Sequence, residues 1–157
     1  MAASKRRDMR IKVVQILYAH ELSKDPIEKV KKDQLTEIED EELYHFACEL
    51  IRQVLDNSKK IDKLIEGSID NWELERIALL DKLVLRMGVA ELMAFPDIPT
   101  KVTINEAIDI SKLFGTNNSG KFVNGVLDAI HNRLIKEGKI EKSGRGLLDT
   151  KKKPDEK

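Results

Sequence analysis

The chain has 157 residues, which is long enough for one domain with a substantial hydrophobic core. Its 28 basic and 28 acidic residues cancel, so net charge excludes no class of partner, while a single cysteine excludes an internal disulfide and a multi-cysteine zinc site. No apolar run reaches membrane-spanning length, and no apolar segment follows the basic start, so we expect a cytoplasmic protein without a secretory signal.

The first predicted helix runs from Arg6 to Leu22 and carries two stripes of residues at helical spacing. One stripe is mainly apolar and is expected to face a core. It comprises Met9, Val13, Ile16, Leu17 and His20. The other stripe lies on roughly the opposite side of the helix and is expected to face solvent. It comprises Arg7, Arg10, Val14 and Tyr18.

An exposed row of arginines that ends in a tyrosine suits single-stranded RNA. Arginines neutralise phosphates and offer planar donors, and the Tyr18 ring could stack on an unpaired base. Basic residues at a helix N-terminus oppose the macrodipole, and this cost mildly favours a functional role. The alternative is a solvated basic helix face with Tyr18 packed at its edge.

The rest of the first half also predicts helices. A short helix is expected after Pro26, which favours a first helical turn, and a stronger one from Glu41 to Leu55. A further helix follows the break at residues 56–58. Cys48 lies in the apolar pattern of the second of these helices, which predicts a buried and unreactive thiol. This half therefore reads as a small helical bundle.

A new apolar pattern begins near Trp72 and continues to about Phe95, where Pro96 and Pro99 end the helix. Thr103 and Glu106 have the spacing of a capping box, which predicts the start of the next helix. That helix carries the apolar residues Ala107, Ile108, Leu113 and Phe114. The last helix carries Val123, Val126, Leu127, Ile130 and Leu134 and runs toward Gly138.

The corner between the last two helices concentrates aromatic and basic side chains. Phe114 and Phe122 flank it, with Lys112 and Lys121 beside them. Gly115 is expected to adopt a left-handed C-terminal cap, and Ser119 to be the N-cap of the last helix. One interpretation is a recognition patch with partly exposed rings; the alternative is that both rings are core residues beside solvated lysines.

The sequence offers no pattern typical of an enzyme. The three histidines, His20, His45 and His131, have no partner at metal-ligand spacing, and we expect His45 and His131 on the surface. No glycine-rich phosphate loop and no serine nucleophile motif are present. We therefore predict a binding protein that is not an enzyme and needs no metal or cofactor.

Three stretches together resemble one known family. They are Arg10–Tyr18 (RIKVVQILY), then Trp72–Ile77 (WELERI) with 85–92 (LRMGVAEL), and finally Ile98–Ala107 (IPTKVTINEA) leading to Lys121–Asp128 (KFVNGVLD). The order and spacing of these motifs are similar to those of the NusB family of bacterial transcription antitermination factors. The resemblance covers the chain from about Arg6 to Leu134.

The resemblance implies an all-α fold. Two packed three-helix subdomains, about residues 1–71 and 72–138, would form one compact domain over residues 1–138. The charged segment 139–157 is expected to be a disordered tail, because it offers almost nothing to bury.

The resemblance also implies partners. The chain would bind boxA, a single-stranded RNA element of ribosomal RNA leaders, as a heterodimer with small-subunit ribosomal protein ten, called NusE in this role. The pair would join other Nus factors on elongating RNA polymerase and suppress premature termination. A homodimer of the free protein stays possible, and a membrane is not an expected partner.

The family pattern assigns roles to individual residues. RNA contacts are implied for Arg6, Arg7, Arg10, Tyr18, Phe114, Asn118, Lys121 and Phe122, with both subdomains holding them in one groove. Contacts with the ribosomal partner, or bracing of the subdomains, are implied for Glu75, Asp81, Lys82 and Arg86. Two departures matter: Asp8 interrupts the basic start, and Asn118 stands where some members carry an acid.

Two alternatives to the antitermination factor stay open. The chain could be a helical protein–protein adaptor whose basic stripe meets an acidic partner without specific RNA binding. It could also be the RNA-binding module of a ribosomal RNA methyltransferase, which has a similar fold, although we expect no methyl-donor-binding domain at this length.

Overall fold

A computed structural model describes residues 2–69, 74–140 and 142–146, except for the side chains of residues 2–4, 75 and 145. These ranges contain seven α-helices, two short 3-10 helices (Leu74–Arg76 and Gly144–Gly146) and no strand, which confirms the all-α prediction. The helices are α1 (Ala2–Ser23), α2 (Ile27–Leu35), α3 (Glu41–Asp56), α4 (Ser58–Gly67), α5 (Leu79–Ala94), α6 (Thr100–Phe114) and α7 (Asn117–Lys136). None of these helices is both long and apolar enough to cross a membrane.

The helices form two compact units, Met1–Asp56 and Asn57–Lys157. In the first unit α1 packs against both α2 and α3, and in the second α5, α6 and α7 pack against one another with α4 beside α5 and α7. The sequence places α4 in the first subdomain, whereas its packing partners lie in the second unit. Trp72, the predicted start of the second subdomain, lies outside the described residues, so that subdivision stays a prediction.

The predicted solvent-facing stripe of α1 is wrong at two positions. Met9, Val13, Ile16 and Leu17 are buried as expected, but Val14 is also fully buried and Arg10 is only 3% exposed. The reason is that α1 packs against two neighbouring helices, α2 and α3, so it buries a wider surface than one stripe. Within α1, the side chain of Tyr18 does face solvent, at 37% exposure.

The second unit is built around α5, which is buried on nearly all sides from Leu83 to Leu92. Gly88 permits a close approach of α7, because a Cβ at this position would lie 3.0 Å from Leu127 Cδ1. The buried Glu91 carboxylate accepts a hydrogen bond of 2.8 Å from the Thr103 hydroxyl of α6. Burial of a carboxylate is tolerated where such donors satisfy it.

The predicted start of α6 is wrong by one turn. The helix begins at Thr100, immediately after Pro99, whose φ of −61° suits a helix start. Thr103 therefore lies inside the helix, where its hydroxyl serves Glu91 and not a capping box. At the other end the apolar side chain of Leu113 is 64% exposed.

The last helix buries Val123, Val126, Leu127, Ile130 and Leu134, as its periodicity predicts. His131, expected on the surface, is also buried. Gly138 has a left-handed φ of +68°, which suits the end of a helix.

Packing continues beyond Gly138. The Ser143 amide donates to the Pro96 carbonyl at 2.9 Å, and the Lys142 ammonium donates to the Phe95 carbonyl at 3.1 Å. These hydrogen bonds attach the segment 142–146 to the connection between α5 and α6. The remainder of the predicted tail, residues 147–157, lies outside the described residues.

Candidate nucleic-acid interface

Two of the predicted RNA-binding arginines meet on one aromatic ring in the first unit. Arg6 and Arg10, four residues apart on α1, point toward Phe46 of α3. Their guanidinium carbons lie 4.4 and 5.2 Å from the ring centroid, within the range of cation–π contacts. Arg6 is half-buried, whereas Arg10 is almost fully buried. The ring therefore helps to hold both charges.

The other two predicted residues of α1 differ in their surroundings. Arg7 is half-buried, whereas Tyr18 is exposed. About three helical turns separate the two residues. Tyr18 thus keeps an accessible ring that can stack on a base. The structure therefore leaves Tyr18 available and Arg7 partly available, while Arg10 is largely committed to the protein interior.

The corner in the second unit is capped differently from the prediction. Gly115 has a φ of −135°, so the predicted left-handed cap is wrong. Thr116, not Ser119, is the N-cap of α7, because its hydroxyl accepts from the Ser119 amide. A Cβ at Gly115 would lie 2.6 Å from Ser119 Oγ, so a larger residue there would force the Ser119 side chain to move. The turn between α6 and α7 comprises only Gly115 and Thr116.

Polar and aromatic residues of α7 line this corner. Asn118, Lys121 and Phe122 share one helix face at three- and four-residue spacing, and Phe114 ends α6 on the other side. Both phenylalanines are half-buried, as the patch interpretation predicts, while Asn118 and Lys121 are exposed. The patch also lies in the first turns of α7, where unpaired amides favour anions.

Lys112 completes the cationic side of the corner. Its stem packs against Gly120, since a Cβ at Gly120 would lie 2.8 Å from Lys112 Cε. Within the part of the chain that the structure describes, no ion pair joins Lys112 or Lys121 to a carboxylate. Both charges are therefore available to an external anion.

A carboxylate reaches into the corner from α5. Asp81 Oδ2 accepts a hydrogen bond of 3.2 Å from the Ser119 hydroxyl. Burial raises the pKa of Asp81 above its ordinary value, and the Ser119 hydrogen bond only partly offsets this effect. Asp81, predicted to contact the protein partner, thus links α5 to the start of α7 in this structure.

Arg86 is also engaged within the second unit. Its Nε and second terminal nitrogen donate to the two carboxylate oxygens of Asp62 at 2.8 and 3.0 Å. This bidentate ion pair joins α5 to α4, and both side chains are largely buried. Lys82 is half-buried beside them on α5, and the side chain of Glu75 lies outside the described residues.

A cavity of about 380 Å³ lies between α2 and α3 in the first unit. Ile27, Ile51 and Leu55 give it an apolar part, and charged residues surround it. Cys48 lines this cavity and is half-buried, so the prediction of a buried thiol is only partly met. None of the predicted RNA-binding or partner-binding residues lines the cavity.

The structure adds two residues that sequence reasoning missed, Phe46 and Asp62. Both are partners of predicted residues that lie far away in the chain. In the sequence Phe46 is one of several apolar residues of α3, and Asp62 is one of many carboxylates in a highly charged chain. No local signal in the sequence distinguishes them from their neighbours.

Comparison with known proteins identifies a family that matches most of this chain. Residues 7–132 match the model of the NusB family. A transcription antitermination protein NusB from Chloroherpeton thalassium is 43% identical over 146 residues, which cover 92% of this chain and 69% of that protein.

Two solved structures are similar in fold. The structure of T. maritima NusB aligns with a TM-score of 0.77 and 41% identity, covering 81% of this chain and 90% of that one. A crystal structure of the antitermination factors NusB and NusE in complex with dsRNA aligns with a TM-score of 0.76 and 26% identity. It covers 83% of this chain and 98% of the matched chain.

Proposed function

We propose a function from the premise that this chain belongs to the NusB family. The chain acts as a transcription antitermination factor that binds RNA together with the ribosomal protein NusE. It is a binding protein of the cytoplasm and not an enzyme. With other Nus factors it joins elongating RNA polymerase during transcription of ribosomal RNA.

The RNA ligand we propose is the single-stranded boxA element. Unpaired bases can stack on exposed or half-exposed rings, which the chain supplies at Tyr18, Phe114 and Phe122. Phosphates would be neutralised by Arg6, Arg7, Arg10 and Lys121, and Asn118 would donate from its amide. Because such contacts release counterions, binding should weaken steeply with salt.

The single observation that carries this proposal is the open face at the start of α7. Lys121 and Asn118 are exposed there beside the half-buried Phe122, and Lys121 has no ion pair with a carboxylate in the described part of the chain. A cation, an amide and an aromatic ring on one helix face match the groups that unpaired nucleotides require.

The protein partner is proposed to meet the region of α5 that carries Asp81, Lys82 and Arg86, together with Glu75. Arg86 and Asp81 also hold α5 to α4 and α7, so they shape this surface as well as presenting charge. NusE should extend the RNA-binding surface and tighten the complex. A homodimer of the free chain stays a second possible state.

Binding of a fluorescent boxA-like RNA tests the proposal, with and without NusE, at two salt concentrations. A scrambled RNA and a double-stranded form of the same sequence are the controls. We expect preferential binding to single-stranded boxA that NusE tightens. Equal, salt-sensitive binding to all three RNAs would argue for the adaptor alternative, in which the basic residues meet an acidic protein.

In the same experiment, the variant Phe122→Ala tests whether the corner before α7 contacts RNA. Loss of one base stack should weaken RNA binding by about 1–3 kcal/mol, or roughly 5- to 150-fold. The circular dichroism spectrum should stay helical, since the ring is only half-buried. An unchanged affinity in the folded variant would contradict the assignment and return Phe122 to a purely structural role.

A further inference from the structure

We infer that Phe46 is a positioning residue for RNA binding, because its ring holds Arg6 and Arg10 in place before RNA arrives. The inference rests on the proposed function and adds a residue on α3 to it. Phe46 itself is only 5% exposed, so it acts through the two arginines and not by contact with RNA.

The geometry around the ring supports this role. Two guanidinium groups lie within 4.4 and 5.2 Å of one centroid, although two like charges so close together would repel each other. The negative face of an aromatic ring offsets such repulsion and attracts planar guanidinium groups. Phe46 thus stabilises two neighbouring guanidinium groups on α1.

The two arginines differ in burial and therefore in what they can contact. Arg10 is buried and fixed, while Arg6 is half-buried and retains accessible surface for a phosphate. A long side chain that is already ordered loses less conformational entropy when it binds. Removal of the ring should therefore weaken RNA binding although no RNA-contacting group is lost.

The test compares Phe46→Leu, which keeps an apolar side chain but removes the ring, with Phe46→Tyr, which keeps the ring. Leu50→Val is the matched control, because it removes buried volume from the next turn of α3. We expect Phe46→Leu to weaken RNA binding about 3- to 10-fold, in line with a cation–π contact, and Phe46→Tyr to retain most of the affinity.

A merely structural role would lower stability without changing the number of phosphate contacts. Salt dependence separates the two cases, since each lost contact to single-stranded RNA reduces the slope of log K against log salt by about 0.7. We expect a smaller slope in Phe46→Leu, because Arg6 without the ring is less ordered and keeps its phosphate contact for only part of the time, and an unchanged slope in Leu50→Val. Equal slopes and affinities in Phe46→Leu and the unmodified chain would overturn the inference.

An RNA-independent measurement completes the test. The Nε–H signals of Arg6 and Arg10 in NMR spectra of the free chain should be dispersed by the ring, and should collapse toward unfolded positions in Phe46→Leu. If the signals collapse but RNA affinity is unchanged, positioning by Phe46 is refuted while RNA binding stands. If the unmodified chain binds none of the RNAs even with NusE, the proposed function itself fails, and the role of Phe46 in it fails as well.

Discussion

The start of α1 and the corner before α7 carry the same kinds of residue, cations next to phenylalanine, yet the fold uses them differently. In α1 the guanidinium of Arg10 is buried beside Phe46. At the corner Lys121 is exposed, and neighbouring Phe122 is only half-buried. The first arrangement stabilises the unit that contains it, whereas the second leaves its charge for a ligand.

The difference teaches that the presence of a cation beside an aromatic ring does not by itself reveal how the charge is used. A buried guanidinium must be satisfied inside the protein, because an unpaired buried charge is very costly. An exposed ammonium contributes little to folding, so selection on it acts mainly through binding or solubility. Variants in the two regions, and one at the contact between α5 and α4, should differ in their free energy of unfolding.

Arg10→Ala should have the largest effect. It removes a desolvated cation–π contact and the packing of a long aliphatic stem, which together cost about 2–3 kcal/mol. Urea denaturation followed by circular dichroism measures the change. RNA affinity should fall as well, so this variant cannot by itself assign a contact. An unchanged unfolding midpoint would show that the buried position of Arg10 contributes nothing.

Arg86→Ala should come second. The variant breaks the bidentate ion pair with Asp62 and leaves that carboxylate largely buried, at a cost of about 1–2 kcal/mol. Arg86→Lys is the control, since it keeps the charge but cannot form both hydrogen bonds and should recover only part of the stability. Full recovery by lysine would mean that charge alone, and not geometry, joins α5 to α4.

Lys121→Ala should leave stability within about 0.5 kcal/mol of the unmodified chain. It should nevertheless weaken RNA binding several-fold and reduce the salt slope by about 0.7. Lys136→Ala, an exposed lysine near the other end of α7, is the matched control and should change neither quantity. Equal losses of affinity in both variants would indicate non-specific attraction spread along the helix.

Asp81→Asn should have the smallest effect on stability, and its sign depends on pH. The folded-state pKa of Asp81 is raised from 3.8, so its stabilising contribution is complete below that pH and is lost as pH rises through the folded-state value. The variant removes this pH dependence and should be at least as stable as the unmodified chain at neutral pH.

Asp81→Asn should also strengthen RNA binding a few-fold, because it removes a negative charge beside Ser119 at the corner. Unfolding curves between pH 3 and 7, together with RNA titrations at neutral pH, measure both effects. A variant that loses stability across the whole range would show that the ionised carboxylate is a net favourable partner of Ser119.

Much of the fold could be predicted from periodicity. The buried residues of α7, Val123, Val126, Leu127, Ile130 and Leu134, follow a single stripe, and each is buried. Helix ends were less predictable. Capping patterns were present at Gly115, Ser119 and Thr103. In the structure, however, α6 begins directly after Pro99, and the N-cap of α7 is Thr116. Short polar residues can serve several turns, so local patterns do not choose between them.

The sequence by itself determined the helices, most of their buried faces, the row of cations on α1, and the cations and rings at the corner before α7, because these follow from local spacing. Only the tertiary structure decided how each charge is used. Arg86 meets Asp62 across 24 residues, and Asp81 meets Ser119 across 38. Arg10 is buried because α1 packs against two helices at once. Such contacts depend on which surfaces meet, and the spacing of residues within one helix does not specify that.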